Sequence, residues 1–373
     1  LIRNGLEIRT SHGRALAGPA ATPHPPQIKP GIDGMTGRVQ TVLGPVAPDS
    51  LGPTLMHEHV LCDITPRSLR GQHAAPITLG SRYDIDYGRH PHAGKTVMLD
   101  RDLAVAELDL FRAEGGATMV EMTIGGLAPD PLGLVEVSRR TGVTLVMGCG
   151  QYVEDFQDPA NHDRGVEDFA AEMLGALRQG AWGTDVRAGL IGEIGCSAPW
   201  TPLERRVMAG AALAQQETGA ALTIHPGVHP DQPAEIIAFL RDHGGDIPRT
   251  IIDHVDRTIF DDDRLFALAD TGCVLEFDLF GYEHAYWSFA PINMPNDGTR
   301  IDMIRRLLDR GHGDQVVISQ DICRLTRLRA FGGHGYGHIF RNVVPFMREK
   351  GFSDQELDAI LVGTPRRLLT LTR

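Results

Sequence analysis

The chain has 373 residues, 42% of them hydrophobic and 23% charged, enough for one large core or two modest ones. Its 36 basic and 48 acidic side chains leave a formal charge of −12, with no run of Lys or Arg, which argues against nucleic acid or an anionic membrane as a partner. No apolar stretch approaches the roughly twenty residues of a membrane span, and the first thirty residues lack the apolar segment of a secretory signal, so a soluble, cytoplasmic protein is expected.

Residues 1–36 carry Pro, Gly and small side chains without periodicity and are expected to form a flexible leader, leaving 37–373 as one catalytic domain. The stretch RVQTVLGPVAP (38–48) alternates like a short hairpin with a Gly-Pro turn, placed as a lid over the bottom of the fold. From residue 51 one unit recurs: an amphipathic helix, a Gly stop, an apolar strand and polar residues where the strand ends. The junctions AEGGATMVEMT, RTGVTLVMGCG, ETGAALTIHPG, DTGCVLEFDLF and DRGHGDQVVISQD show it. Gly after each helix fits a left-handed cap, and unbroken apolar runs fit parallel strands covered on both faces.

Strands are predicted at 53–59, 117–123, 143–149, 188–194, 220–225, 250–254, 272–277 and 315–321, eight in all. Between them lie helices such as 202–218, with Thr201 as its N-cap and Pro202 at its first position. The fold class is therefore α/β, and eight even repeats favour a closed (β/α)8 TIM barrel. An open doubly wound sheet is the competitor, but no GxGxxG follows the first strand. The odd, scattered cysteines Cys62, Cys149, Cys196, Cys273 and Cys323 have no CxxC pair and read as reduced, buried thiols. Cysteine catalysis by Cys149 or Cys196 is the rival chemistry, but the histidines that would activate a thiol are better explained as ligands.

A barrel carries its active site at the carboxyl ends of its strands. The first strand ends in His57-Glu58-His59, where the period of two puts both imidazoles on one face. The fourth ends in Glu193, the fifth in His225, the sixth in His254 and the eighth in Asp321. Any one strand-end His is usually a satisfied core or loop residue. Four imidazoles and two carboxylates arriving together form a ligand set for zinc, or for Mn, Co or Fe. Six ligands exceed what one ion needs, so two divalent metals are expected, joined by one carboxylate and a bridging hydroxide that serves as nucleophile.

The segments GRVQTVLGPVAPDSLGPTLMHEHV, AGLIGEIGCS, TIHPG, IIDHVDRT, LEFDLFG and GGHGYGHIFRNVVPFM resemble the phosphotriesterase family of the amidohydrolase superfamily, in particular its phosphotriesterase-related proteins, over roughly residues 37–371. The resemblance implies that His57, His59 and Asp321 bind the more buried metal and that His225 and His254 bind the more exposed one. It further implies that Glu193 bridges the two, that Asp321 is the catalytic base, and that the protein is a homodimer. Many members carry a carbamylated lysine where this chain has Glu193. Organophosphate-degrading members have a His after the strand-seven Asp, where Asp278 is here followed by Leu279.

The expected activity is hydrolysis of a carboxylic amide, ester or lactone, including an N-acyl amino acid or N-acyl taurine, with phosphotriester cleavage as a side activity. Organophosphate hydrolysis as the main activity and a non-catalytic ligand-binding barrel are the alternatives. Substrate contacts are expected from Tyr152, Arg257, Arg324 and His334. For Arg257 a salt bridge to Asp256 or Asp278 is the competing role. Arg327, Arg329 and His338 share the Gly-rich segment after strand eight, and His73, His90 and His92 read as surface residues of a long first loop.

Overall fold

The computed structural model describes residues 36–373 apart from 90, 285, 288 and 289, so all but one residue of the expected leader, and His90, lie outside the described residues. Eight parallel strands carry the fold: β1 Thr54–Glu58, β2 Thr118–Glu121, β3 Thr144–Met147, β4 Ile191–Gly195, β5 Leu222–His225, β6 Thr250–Ile252, β7 Val274–Phe277 and β8 Val316–Ile318. Each falls on its predicted segment. Continuous ladders join β1 to β3 in one group and β4 to β8 in another.

The two seams between these groups are closed by individual hydrogen bonds. At β3/β4, Gly189 N donates to Met147 O at 2.9 Å and Gly192 N to Cys149 O at 2.7 Å. At β8/β1, the Ser319 hydroxyl donates to His57 O at 2.7 Å and Asp321 N to the same oxygen at 3.2 Å. The interior agrees with closure: Met56, Val120, Val146, Leu190, Ala221, Ile251, Val274 and Val317, one from or beside each strand, pack in a single buried cluster. A packed interior of branched apolar side chains is what a TIM barrel requires.

The hairpin Val39–Thr41/Gly44–Val46 contributes Val39 to that cluster, and the C-terminal helix Thr364–Leu369 contributes Leu368 and Leu369. Together they seal the amino-terminal end of the barrel. Helices 101–113, 131–141, 166–178, 202–218, 232–242, 262–269 and 297–309 form the outer layer. The fifth-strand helix begins where the sequence places it: Thr201 Oγ1 accepts from Glu204 N, Glu204 accepts from Thr201 N, and Gly219 closes the helix at φ 62°. With one end sealed, access to the interior is from the carboxyl ends of the strands.

A candidate binuclear metal centre

The six strand-end residues meet around the Glu193 carboxylate. On one side its Oε1 lies 3.5 Å from His57 Nε2 and 3.2 Å from His59 Nε2. On the other, Oε2 lies 2.8 Å from His225 Nδ1 and 3.6 Å from His254 Nε2. Asp321 Oδ1 joins the first group, 3.4 Å from His59 Nε2 and 3.9 Å from His57 Nε2. The His57 side is sealed, whereas the side chains of His225 and Asp321 remain 18% and 15% exposed and mark the direction of approach. His254 and Asp321, at φ 53° and 46°, hold a left-handed backbone that non-glycine residues rarely adopt.

Electrostatics keep this set poised. Burial would raise Glu193, but the surrounding imidazoles hold it well below the usual carboxylate range. Burial would also raise Asp321, yet His59 and His57 hold it at about 2. Burial would lower His59, but Asp321 and Glu193 lift it to about 10; Asp278 and Glu193 likewise lift His254 to about 9. His225 goes the other way, down to about 4, through burial and the neighbouring His254. The carboxylates thus attract positive charge to His59 and His254 but not to His225.

A second tier of groups, mostly missed by sequence reasoning, orients the first. His254 Nδ1 meets Asp278 Oδ1 at 2.7 Å and His59 Nδ1 meets Thr123 Oγ1 at 3.0 Å. Glu58 points away from the centre, as the alternation predicts, lies 2.8 Å from Ser319 Oγ, and accepts from Gln320 N and Ile322 N, each at 2.9 Å. It therefore braces the backbone on both sides of Asp321. The signal was present, because a carboxylate between two ligands of a buried strand needs partners of its own.

The four expected substrate contacts divide. A cavity of about 230 Å³ opens over Glu193, His225, His254 and Asp321, with Ile64, Leu127 and Cys323 as its apolar wall. Tyr152 lines it and stands 3.3 Å from His225 Nδ1. Arg257 is buried beside it, its NH2 donating to Pro226 O at 3.0 Å and lying 3.2 Å from His225 Nε2. Neither salt bridge expected for Arg257 forms: Asp256 pairs with Arg300 at 2.7 Å and Asp278 with His254, and Arg257 NH1 has no hydrogen-bond partner among the described residues. Arg324 is buried behind Cys323, near the Tyr282 ring. His334 faces Gln320 and Gly281 instead of the cavity, with its Nδ1 3.1 Å from Gln320 Nε2. Arg327 and His338 pair with Asp86 at 3.0 Å and Asp297 at 2.7 Å, and the five cysteines are buried and free.

The phosphotriesterase family model matches residues 37–369. The chain belongs to that family. It is 38% identical over 349 residues to an N-acetyltaurine hydrolase of Xenopus tropicalis, covering 91% of this chain and 99% of the relative. A phosphotriesterase-related protein of Nematostella vectensis is also 38% identical, over 346 residues covering 90% and 99%. Among solved structures, a resiniferatoxin-binding protein from Rhodobacter sphaeroides superposes with a TM-score of 0.84 at 32% identity, covering 89% of this chain and 95% of that one. The chain is a hydrolase by family, and none of its described helices is long and apolar enough to cross a membrane.

Proposed function

We propose that the protein is a binuclear-metal-dependent hydrolase acting on a small carboxylic amide, ester or lactone, with an anion-bearing N-acyl substrate such as an N-acyl amino acid or N-acyl taurine as the preferred class. The observation that carries this is the Glu193 carboxylate, whose two oxygens face two separate ligand groups. His57, His59 and Asp321 would hold one ion and His225 and His254 the other, with Glu193 between them. The donor chemistry fits: His57 Nε2 is buried without a hydrogen-bond partner, and imidazole-rich sets with carboxylates suit zinc. Such a pair supplies Lewis acidity to the scissile carbonyl and lowers the pKa of an attacking water.

The chain's own residues supply the rest. Asp321, held ionised on the open side of the site, accepts the proton of the attacking water. Tyr152 borders the space a carbonyl would enter, and Arg257, buried against the cavity-lining His225, would supply the positive charge for a carboxylate or sulfonate on the substrate. Leu279, buried in an apolar cluster, provides no proton relay after Asp278, which favours carboxylic substrates over phosphotriesters.

A homodimer is the state we assign by family resemblance, to be checked by light scattering of the purified chain. Residues 1–36 are assigned as a leader outside the catalytic domain at 37–373. A hydrolysis panel of N-acetyltaurine, N-acetyl amino acids, a lactone, an aryl ester and a phosphotriester tests the substrate class. Faster turnover of an acyl substrate supports it, and a phosphotriester turned over best of the five refutes it.

A further inference from the structure

Three carboxylates lie beneath the proposed centre, inside the barrel, with no task in the chemistry above beyond one hydrogen bond. Asp253 follows β6, Glu276 belongs to β7 and Asp278 follows it; all are fully buried. His57 Nδ1 is aimed at them, 3.5 Å from Asp253 Oδ2, 3.5 Å from Asp278 Oδ2 and 3.9 Å from Glu276 Oε2. The other oxygen of Asp253 accepts from Thr223 Oγ1 at 2.5 Å, and Asp278 accepts from the His254 backbone N at 2.9 Å as well as facing its Nδ1.

The anomaly is Glu276. Neither of its oxygens has a hydrogen-bond partner among the described residues, and the same holds for Asp253 Oδ2 and His57 Nδ1. No Lys or Arg among the described residues forms an ion pair with any of the three carboxylates. Packing does not explain an acid there, since Val274 and Val317 fill the interior nearby with apolar bulk. A buried carboxylate without a counter-charge is among the costliest groups a core can hold. It becomes tolerable where positive charge arrives with a ligand, and the proposed centre lies directly above.

We propose that Asp253, Glu276 and Asp278 form an anionic floor that retains the metal pair. Asp278 keeps the Nδ1 of His254 as a hydrogen-bond donor, and with Asp253 it faces the Nδ1 of His57 at 3.5 Å, so that the Nε2 of each imidazole faces Glu193. Glu276, aimed at the same His57 nitrogen from β7 at 3.9 Å, completes the floor without a hydrogen bond of its own. The three are positioning residues, and the inference rests on the metal-centre reading above.

The test compares wild type with Glu276→Gln, Glu276→Leu and Asp253→Asn by zinc affinity in competition with a chromophoric chelator, by metal content and by the Tm of the metal-free protein. Each variant is expected to bind zinc about 10–100-fold more weakly, while the metal-free Tm stays level or rises because a buried acid with unpartnered oxygens has been removed. Affinity within twofold of wild type overturns the floor. So does a metal-free Tm that falls in step with affinity in all three variants, since that marks a packing role. A third metal equivalent in wild type that disappears in Glu276→Gln also overturns it, in favour of a cation seated among the carboxylates. A wild type that binds no zinc at all refutes the metal centre itself.

Discussion

Replacing Asp321 by Asn tests the proton-accepting step, with metal content separating it from the loss of a ligand. The two side chains have nearly the same shape, and Asn tolerates the left-handed backbone that residue 321 holds at φ 46°. That backbone is fixed from outside the side chain, by Glu58 accepting from Gln320 N and Ile322 N and by Asp321 N donating to His57 O at 3.2 Å. The fold should therefore survive. Lost are the negative charge, 3.4 Å from His59 Nε2, and the ability to accept a proton. General-base assistance is worth roughly 10²–10⁴ in rate, or about 3–5 kcal/mol of barrier. We expect kcat to fall by that factor with KM changing little, because the lost interaction belongs to the transition state. Initial rates on N-acetyltaurine and N-acetyl amino acids, with metal content measured on the same samples, provide the assay. A variant that keeps full metal content and activity within threefold of wild type refutes the role.

Metal affinity should rise with pH. His59 and His254, lifted to about 10 and about 9, carry protons that binding must displace, whereas Asp321, held at about 2, does not. His57, which burial would lower but Glu193, Asp278 and Asp253 lift well above the imidazole range, releases a third proton, so between pH 6 and 8 the apparent zinc affinity should climb by up to about 1,000-fold per unit; a flat profile would contradict this. Arg257→Met keeps most of the buried volume and removes the cation, so KM for anionic N-acyl substrates should rise about 10–100-fold, the worth of a charge-assisted hydrogen bond. A neutral lactone should be unaffected, and an equal loss on both would assign Arg257 to structure. Arg300→Met leaves Asp256 buried without its 2.7 Å partner and should cost about 3–5 kcal/mol in urea unfolding. A loss under 1 kcal/mol would mean the pair is dispensable.

Regular features of the barrel were legible because they are local. Each strand is an apolar run ended by a polar residue, and Gly142 and Gly219 take the left-handed caps predicted for them. The six strand-end residues could be found by the same rule, since a strand's last side chain has only the barrel mouth to face. Glu276 escaped because it lies within β7, where an acid in an apolar run reads as an exception and not as a site. Glu58 and Asp86 escaped for another reason: their partners, Ile322 and Thr326, are 264 and 240 residues away. Nothing near either residue in the chain announces such contacts. For Arg257 a competing salt bridge stayed open because sequence offers two neighbouring acids without showing that Arg300 and His254 already occupy them. The two irregular seams were likewise invisible, being set by how β3 meets β4 and how β8 meets β1.

The central claim is that Glu193 stands between two metal sites. Elemental analysis of protein purified without chelator, before and after reconstitution with zinc or manganese, tests it most directly. Two equivalents per chain, lost together with activity on chelation and recovered together on reloading, are expected. Less than one equivalent, unresponsive to added metal, would contradict it.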